Sequence, residues 1–554
     1  MTPQELAKEF PLTADSLPQP GVPTGVLEKF THTNSRVFPG TVRDWWIYVP
    51  AQYDPKTPAC VMIVQDGADH LKHERRWHIP TVLDNLIHRR EIPVTIGIFI
   101  NPGVIPASAP HAAARSNRSF EYDSLGDRYA RFLLEEILPQ VSRRYNLRSD
   151  GNSRCVMGGS SGAFCAFNAA WERPAEFQRV LSIVGSYAAL RGGHTIPALV
   201  RLTEPKPLRV FLQSGAADLK VFAGDWWTAN LEMLSALEYA GYETDHVWAE
   251  HAGHDEFHGS MIFPDAVRWV WKNYPDTVSA GKTSRQAIMR VLRQGEGWKA
   301  VEGDYDSAAE MTSGPDGRVY FVSPTDSAIR CIEVDGKVRI ACSNVEGLGG
   351  IACDQSGAIF GTQPSAKRIV KFDASGTCSV VHEKIEARGL CVAGNRNIYG
   401  VDPVRRQIWL LTPRGERRAV ETNLVAPVAV KLSGDGSQLL VSDGAGMYSW
   451  IFSIAADGSL TNGAPFFRLT LRDGDTGIGA GEIAWSDLNW GFLATRAGLQ
   501  LADMSGLVAG IVPLPSGTTP SGVAFGGAAR DEIFVSCGHR IYRRRLNRPA
   551  NFWC

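Results

Sequence analysis

No run of eighteen or more apolar residues occurs in this chain, so no helix is expected to cross a bilayer. Neither sign of charge is in surplus. The 57 Lys and Arg against 58 Asp and Glu leave a net charge of −1, which gives no electrostatic case for nucleic acid or an anionic membrane surface. The opening residues, Met1-Thr2-Pro3-Gln4-Glu5-Leu6, lack a basic stretch followed by an apolar one, so no signal peptide is read there. The compartment and the oligomeric state stay open. No Cys-x-x-Cys pair exists among the ten cysteines (Cys60, Cys155, Cys165, Cys331, Cys342, Cys353, Cys378, Cys391, Cys537 and Cys554). Most lie in apolar runs, which predicts buried free thiols rather than a disulfide framework. What is present is 554 residues, 44% hydrophobic and 21% charged, the composition of a soluble globular protein. A single core rarely grows past about 250–300 residues, so more than one domain is expected.

Two patterns divide the chain. From about 20 to 276, strand-like and helix-like segments alternate. Asp44–Val49, Cys60–Val64 and Val94–Ile100 read as strands, and Asp127–Tyr145 as an amphipathic helix with Tyr129, Phe132, Leu133, Ile137, Leu138 and Val141 on one face. Such alternation predicts a largely parallel sheet covered by helices, with a site at the carboxyl ends of the strands. From about 300 a turn-then-strand unit recurs roughly every forty residues, beginning at Gly314, Cys353, Asn395, Ser433, Ser486 and Asp531. Six all-β units of this length predict a six-bladed propeller. The expected layout is an N-terminal tail over 1–20, an α/β domain over 21–276, a linker over 277–299 and the propeller over 300–554.

The densest signal is Gly158-Gly159-Ser160-Ser161-Gly162. It follows the apolar run Cys155-Val156-Met157 and precedes Ala163–Ala170, giving strand, sharp turn and helix. That is the setting of the nucleophile elbow in an α/β-hydrolase, with Ser160 as the nucleophile. In this fold the acid and then the histidine follow the serine along the chain. Leu208–Gln213 reads as a strand ending near Asp218, the expected acid, with Asp225 as the alternative. Asp245–Glu250 reads as the last strand, and its exit loop holds His251, His254 and His258. Gly253 lets that loop fold back, which favours His254 as the base, with His258 next and otherwise lining the pocket. A histidine-rich loop also suggests zinc, but no second ligand cluster accompanies it. An oxyanion needs two N–H donors. Ser161 is expected to supply one, and Gly67 or Ala68, after the strand ending at Gln65-Asp66, the other. Asp66, Trp226, Trp227 and His258 are the substrate-binding candidates. Aromatic pairs such as Trp226-Trp227 serve equally well as packing. No cofactor and no metal are expected.

These residues carry a family resemblance. The first half resembles the enterochelin-esterase and esterase-D type, which includes carbohydrate esterase family 1 feruloyl and acetylxylan esterases. The resemblance lies in Phe38-Pro39-Gly40-Thr41, Tyr48-Val49-Pro50, Gln65-Asp66-Gly67, Arg118-Ser119-Phe120-Glu121-Tyr122-Asp123, Glu135-Glu136-Ile137-Leu138-Pro139, Gly158 to Gly162, Val184-Gly185-Ser186-Tyr187 and Gly253-His254. It implies a Ser/His/acid hydrolase and supports His254; the acid is carried over least well. The second half resembles the gluconolactonase or senescence-marker type of six-bladed propeller, which implies a divalent cation held by a Glu, Asn residues and an Asp. This chain departs from that set, with Ala309-Glu310-Met311, Gly349-Gly350-Ile351, Arg388-Gly389-Leu390, Pro427-Val428-Ala429 and Ala480-Gly481 at the corresponding places. Only Glu310 keeps a matching carboxylate, while Ca²⁺ takes six to eight oxygens. A propeller that has lost its metal is therefore expected.

Together these readings favour a serine carboxylester hydrolase acting on acyl esters of carbohydrates or plant phenolics, with the propeller as an accessory domain. A metal-dependent lactonase in the propeller, an acyltransferase and a non-enzymatic carbohydrate-binding scaffold are the alternatives.

Overall fold

The computed structural model describes residues 1–305, 308–373, 375–479, 481–515 and 520–547, with only the backbone of Ala309. Ala480 and Cys554, both named above, lie outside the described residues. The chain divides into two compact units. One is Met1–Arg201 with Pro205–Thr283, and the other is Leu202–Glu204 with Ser284–Cys554.

The first unit is built on an eight-stranded sheet: β1 (Val26–His32), β2 (Arg43–Val49), β3 (Cys60–Gln65), β4 (Thr95–Ile100), β5 (Arg154–Gly159), β6 (Arg179–Ile183), β7 (Arg209–Gly215) and β8 (Glu243–Ala249). Their order across the sheet is β1-β2-β4-β3-β5-β6-β7-β8. β1 and β2 run antiparallel to their neighbours, and every other pairing is parallel. All six residues of β3 are buried because helices cover both faces. Strand alternation sends Val61 and Ile63 into one core with Phe132, Phe164 and Phe167, and Cys60, Met62 and Val64 into the other with Leu83, Leu86 and Phe263. Each such side chain contributes about 1.5–3 kcal/mol on full burial. The covering helices include α1 (Ile79–His88), α2 (Ser161–Glu172), α3 (Trp226–Tyr239) and α4 (Phe257–Trp271). None of the described helices is long and apolar enough to cross a membrane.

The first twenty residues are not a loose tail. Phe10 is buried with its ring 5.0 Å from that of His258, and Asp15 pairs with Arg89 and Arg268. Apolar burial and charge pairing tie this segment to the first unit.

The second unit contains six four-stranded antiparallel sheets, the blades of a β-propeller. The turn between the first two strands of each blade is the unit that recurs in sequence. In the second blade, for example, Asp354 Oδ1 accepts the Ser356 and Ala358 N–H groups, and Gly357 takes the left-handed conformation. The last blade combines Pro520–Gly526, Glu532–Cys537 and Arg540–Arg545 with Lys299–Ala300 from the start of the unit. That pairing brings the start of the unit onto its last blade and so closes the ring. Residues 277–299, read as a linker, contain structure. Ile288–Val291 is a short helix whose Ile288 and Met289 are buried with Val512 and Phe525. Nine cysteines are free thiols; eight are buried and Cys378 is exposed.

Candidate active site

Ser160 stands between β5 and α2 with φ 57° and ψ −124°, a conformation costly for a residue with a side chain. The neighbouring glycines permit it by close approach. A Cβ on Gly158 would lie 2.3 Å from the Gly162 carbonyl carbon, and one on Gly162 would lie 3.0 Å from Gln65 Cβ. The Ser160 N–H donates to the Ile183 carbonyl at 2.9 Å, and its carbonyl accepts the Ala163 N–H at 3.0 Å, so β6 and α2 both hold the strained residue.

Two further loops deliver the partners. β7 ends in a turn that buries the Asp218 side chain. The loop after β8 crosses back over that turn, with the Ala216 N–H donating to Ala249 O and the Ala217 N–H to Ala252 O. Gly215 permits the crossing, since a Cβ there would meet Ala252 Cβ at 2.4 Å. His254 thereby bridges the other two groups. Its Nδ1 lies 2.7 Å from Asp218 Oδ1 and its Nε2 lies 2.8 Å from Ser160 Oγ. A carboxylate only accepts, so Nδ1 carries the proton and Nε2 is free to accept from the serine. Asp218 is fixed in turn. Its Oδ1 accepts the Leu219 N–H at 2.7 Å and its Oδ2 accepts the Ser214 hydroxyl at 3.1 Å.

The structure brings Ser160, His254 and Asp218 together and leaves the alternatives elsewhere. Asp225 caps α3, accepting the Thr228 N–H at 3.1 Å; that bond, with Lys220 adding to it, holds its carboxyl below the usual range. His251 is exposed beside Glu9. His258 corrects the expectation of a pocket-lining histidine. It is buried on α4 against Phe10, and its Nδ1 accepts from Gln213 Nε2 at 2.8 Å. Burial pushes its pKa down. The ring faces the protein interior because its helix turns it toward β7.

The N–H donors divide the same way. Ala68 does not fit the oxyanion role, because its N–H already donates to Asn101 Oδ1 at 2.8 Å. The Asp66 N–H donates to the Tyr122 hydroxyl at 3.2 Å. Gly67 sits between them, and its N–H, like that of Ser161, has no acceptor among the described residues. The Asp66 carboxylate forms a two-pronged pair with Arg118 at 2.9 and 2.8 Å. Burial opposes the Arg118 cation, but the Asp66 hydrogen bonds and charge outweigh it and raise the Arg118 pKa. Trp226 is buried. Its ring edge meets His254 at 5.9 Å and its indole N–H donates to Ser186 Oγ at 3.1 Å. Trp227, half-buried, stacks edge-on against Trp248. Sequence reasoning missed Arg118, Asn101, Ser186 and Ser214 as members of this site. Arg118 and Ser186 fall within motifs singled out above, but nothing local says that they reach the nucleophile and its loop.

The propeller's donor set does not suit a divalent cation. Glu310 and Glu482 are partly buried and hydrogen-bonded to each other. Burial, then the neighbouring Glu482, raises the Glu310 carboxyl well above its usual range, and burial lifts Glu482 to about 7. The Arg388 cation opposes this rise at Glu310, whereas Ca²⁺ takes six to eight oxygens. Among the described residues, no three or more His, Cys, Asp or Glu group as metal ligands would.

Comparison with known proteins places one family match in the first half of the chain. The family model described as "Putative esterase" matches residues 39–285, just under half of the chain. The uncharacterized protein YbbA of Bacillus subtilis (strain 168) is 24% identical over 179 residues, 32% of this chain and 69% of its own length. The enterobactin esterase FES of Shigella flexneri aligns at 19% identity over 46% of this chain and 60% of its own, with a TM-score of 0.36. A gluconolactonase of Xanthomonas campestris aligns at 17% identity over 47% of this chain and 93% of its own, with a TM-score of 0.41.

Proposed function

From an esterase domain over residues 39–285, we propose that this ester hydrolase works by a serine mechanism centred on Ser160, His254 and Asp218. The observation that carries the proposal is the unbroken hydrogen-bonded series Ser160–His254–Asp218, at 2.8 and 2.7 Å, with its serine on a strained elbow. His254 Nε2 takes the Ser160 proton as Oγ attacks the ester carbonyl. The N–H groups of Ser161 and Gly67 receive the oxyanion. His254 then returns the proton to the departing alcohol, and Asp218 keeps Nδ1 protonated and the ring oriented. Water, deprotonated by His254, releases the acid from the acyl-enzyme. Arg118, Tyr122 and Asn101 serve by occupying the polar groups on either side of Gly67, which leaves that single N–H available.

The substrate class is an acyl ester of a carbohydrate or plant phenolic, of acetyl or feruloyl type, and its support is the family resemblance in the motifs of the first half. The propeller is an accessory domain in this reading. Its donor set weighs against the metal-dependent lactonase alternative. Ser160→Ala should abolish hydrolysis across a panel of acetyl, feruloyl, glucuronoyl and short-alkyl esters, with a loss of kcat on the order of 10⁶-fold on whichever ester the wild type prefers, the loss that follows removal of such a nucleophile. Retained turnover would refute the serine mechanism.

A further inference from the structure

A fourth side chain touches the reacting oxygen. Ser186 Oγ lies 3.2 Å from Ser160 Oγ, on a loop that leaves β6, and the residue is 1% exposed. The Ser186 N–H also donates to the Ser160 carbonyl at 3.2 Å, so backbone and side chain meet the same residue. Donor bookkeeping fixes the direction of the hydroxyl contact. An indole N–H can only donate, so Ser186 Oγ accepts from Trp226 Nε1 at 3.1 Å. The one Ser186 proton then needs an acceptor inside the protein, and Ser160 Oγ is the oxygen within reach. Ser160 in turn has its own proton committed to His254 Nε2. The opposite direction, Ser160 donating to Ser186, would strand a buried hydroxyl proton and leave the imidazole lone pair empty. Stranding the Ser186 proton is unfavourable because that hydroxyl is buried away from water.

We propose that Ser186 is a catalytic hydrogen-bond donor to the nucleophile and that Trp226 is its positioning residue. The inference rests on the serine mechanism above. The directed series runs from the Trp226 N–H to the Ser186 O–H, the Ser160 O–H and His254 Nε2. In the resting state it holds Ser160 in the rotamer whose proton faces the imidazole. One Oγ lone pair accepts from Ser186 and the other is left to attack. In the acylation step the Ser160 O–H bond breaks, its proton goes to His254 Nε2, and the Oγ electron pair forms the bond to the carbonyl carbon while the carbonyl π pair moves to oxygen. Ser186 keeps its proton throughout. Oγ carries its largest negative charge while the proton has left and the new bond is incomplete, and a hydrogen bond to a charged acceptor is stronger than one to a neutral acceptor. The contact therefore tightens where it lowers the barrier. The same geometry accounts for a tryptophan at 226, buried with only its N–H end committed to a polar partner.

The test is inactivation by a fluorophosphonate, which reads attack by Ser160 directly, alongside steady-state ester hydrolysis. Ser186→Ala should slow inactivation and kcat together, by about 10–100-fold, the range for losing one hydrogen bond to a charged group, with KM little changed. Ser186→Thr, which keeps the hydroxyl, should recover most of the rate. Trp226→Phe, which keeps an aromatic edge against His254 but removes the N–H, should cause a smaller loss. Combined with Ser186→Ala it should add nothing, because Trp226 acts through Ser186. Wild-type inactivation rates in Ser186→Ala, or losses from the two substitutions that multiply, would overturn the inference and leave the serine mechanism standing. A fall in kcat that Ser186→Thr fails to restore, accompanied by a lowered thermal midpoint and a raised KM, would make Ser186 a packing residue only. Failure of the wild type to react with any fluorophosphonate would remove the serine mechanism and this inference with it.

Discussion

Adding one methyl group at Gly158 should disable the site, while the same methyl one residue later should not. A Cβ on Gly158 would lie 2.3 Å from Gly162 C, 2.5 Å from Gly162 O and 2.9 Å from Ala163 N, all backbone atoms that no rotamer change can move. Carbon contacts settle near 3.5–4.0 Å, so β5 and the start of α2 would have to separate by about 1 Å. Overpacking of this kind costs about 1–3 kcal/mol, against a typical total stability of about 5–15 kcal/mol, so the variant should still fold. Ser160 lies on the segment between the two displaced elements, whereas His254 is held by the loops after β7 and β8. The displacement therefore falls on the 2.8 Å contact between them. A 1 Å error in such a contact costs about 10² in rate. Gly159 is the internal control. A Cβ there meets nothing within 4 Å, and Gly159 is not among the residues with positive φ. Gly158→Ala should lower kcat/KM for p-nitrophenyl acetate by about 10²-fold or more with an unchanged circular dichroism spectrum. Gly159→Ala should stay close to wild type. Equal activity in the two variants, or equal damage, would refute the argument that close approach at Gly158 shapes the elbow.

Asp218→Asn should lower kcat by about 10³–10⁴-fold, because a neutral amide no longer enforces the Nδ1–H tautomer of His254. Asp225→Asn should leave kcat intact, since Asn caps a helix as well as Asp does; kinetics that rank the two variants in the reverse order would move the acid to Asp225. Burial lowers the His258 pKa in the folded protein, so the stability linked to its neutral form is fully present above the unfolded value, about 6.5, and is lost as pH falls from there toward the folded pKa. The unfolding free energy of the first unit should therefore fall more steeply between pH 7 and 5 in the wild type than in His258→Phe, by at most about 1.4 kcal/mol per pH unit for one proton. Parallel acid profiles for the two proteins would show that His258 is not the group responsible.

The elbow was legible because it is local. Gly158, Ser160 and Gly162 lie within five residues, and their requirement, a sharp corner between a strand and a helix, leaves its mark on the same short stretch of chain. The propeller was legible for a related reason. The turn between the first two strands of a blade is shaped by Asp or Asn side chains and, in several blades, by a left-handed glycine, and six repetitions of a weak signal make a strong one. Asp218 and His254 needed an extra premise, the order in which partners follow the serine in this kind of sheet. What stayed hidden depends on contacts between distant segments. Glycine marks a turn, but only the approach of Asn101, thirty-three positions beyond Ala68, decides which N–H in that turn is already taken. Three histidines in one loop look alike in sequence. They separate only when α4 turns His258 toward Phe10 and Gln213 while Gly215 lets the neighbouring loop carry His254 over Asp218.

The same distinction explains how the chemistry divides between the two units. In the first, several polar groups close to Ser160 have a direction fixed by their chemistry. Ser214 and Leu219 donate to Asp218, His254 donates to Asp218 and accepts from Ser160, and Trp226 donates to Ser186. A site wired in one direction favours one proton transfer, from Ser160 to His254, and resists others. In the second unit burial raises the carboxyl pKa values of both Glu310 and Glu482, with Glu310 carried well above its usual range. The serine mechanism proposed above therefore draws on an ordered series of hydrogen bonds within the first unit.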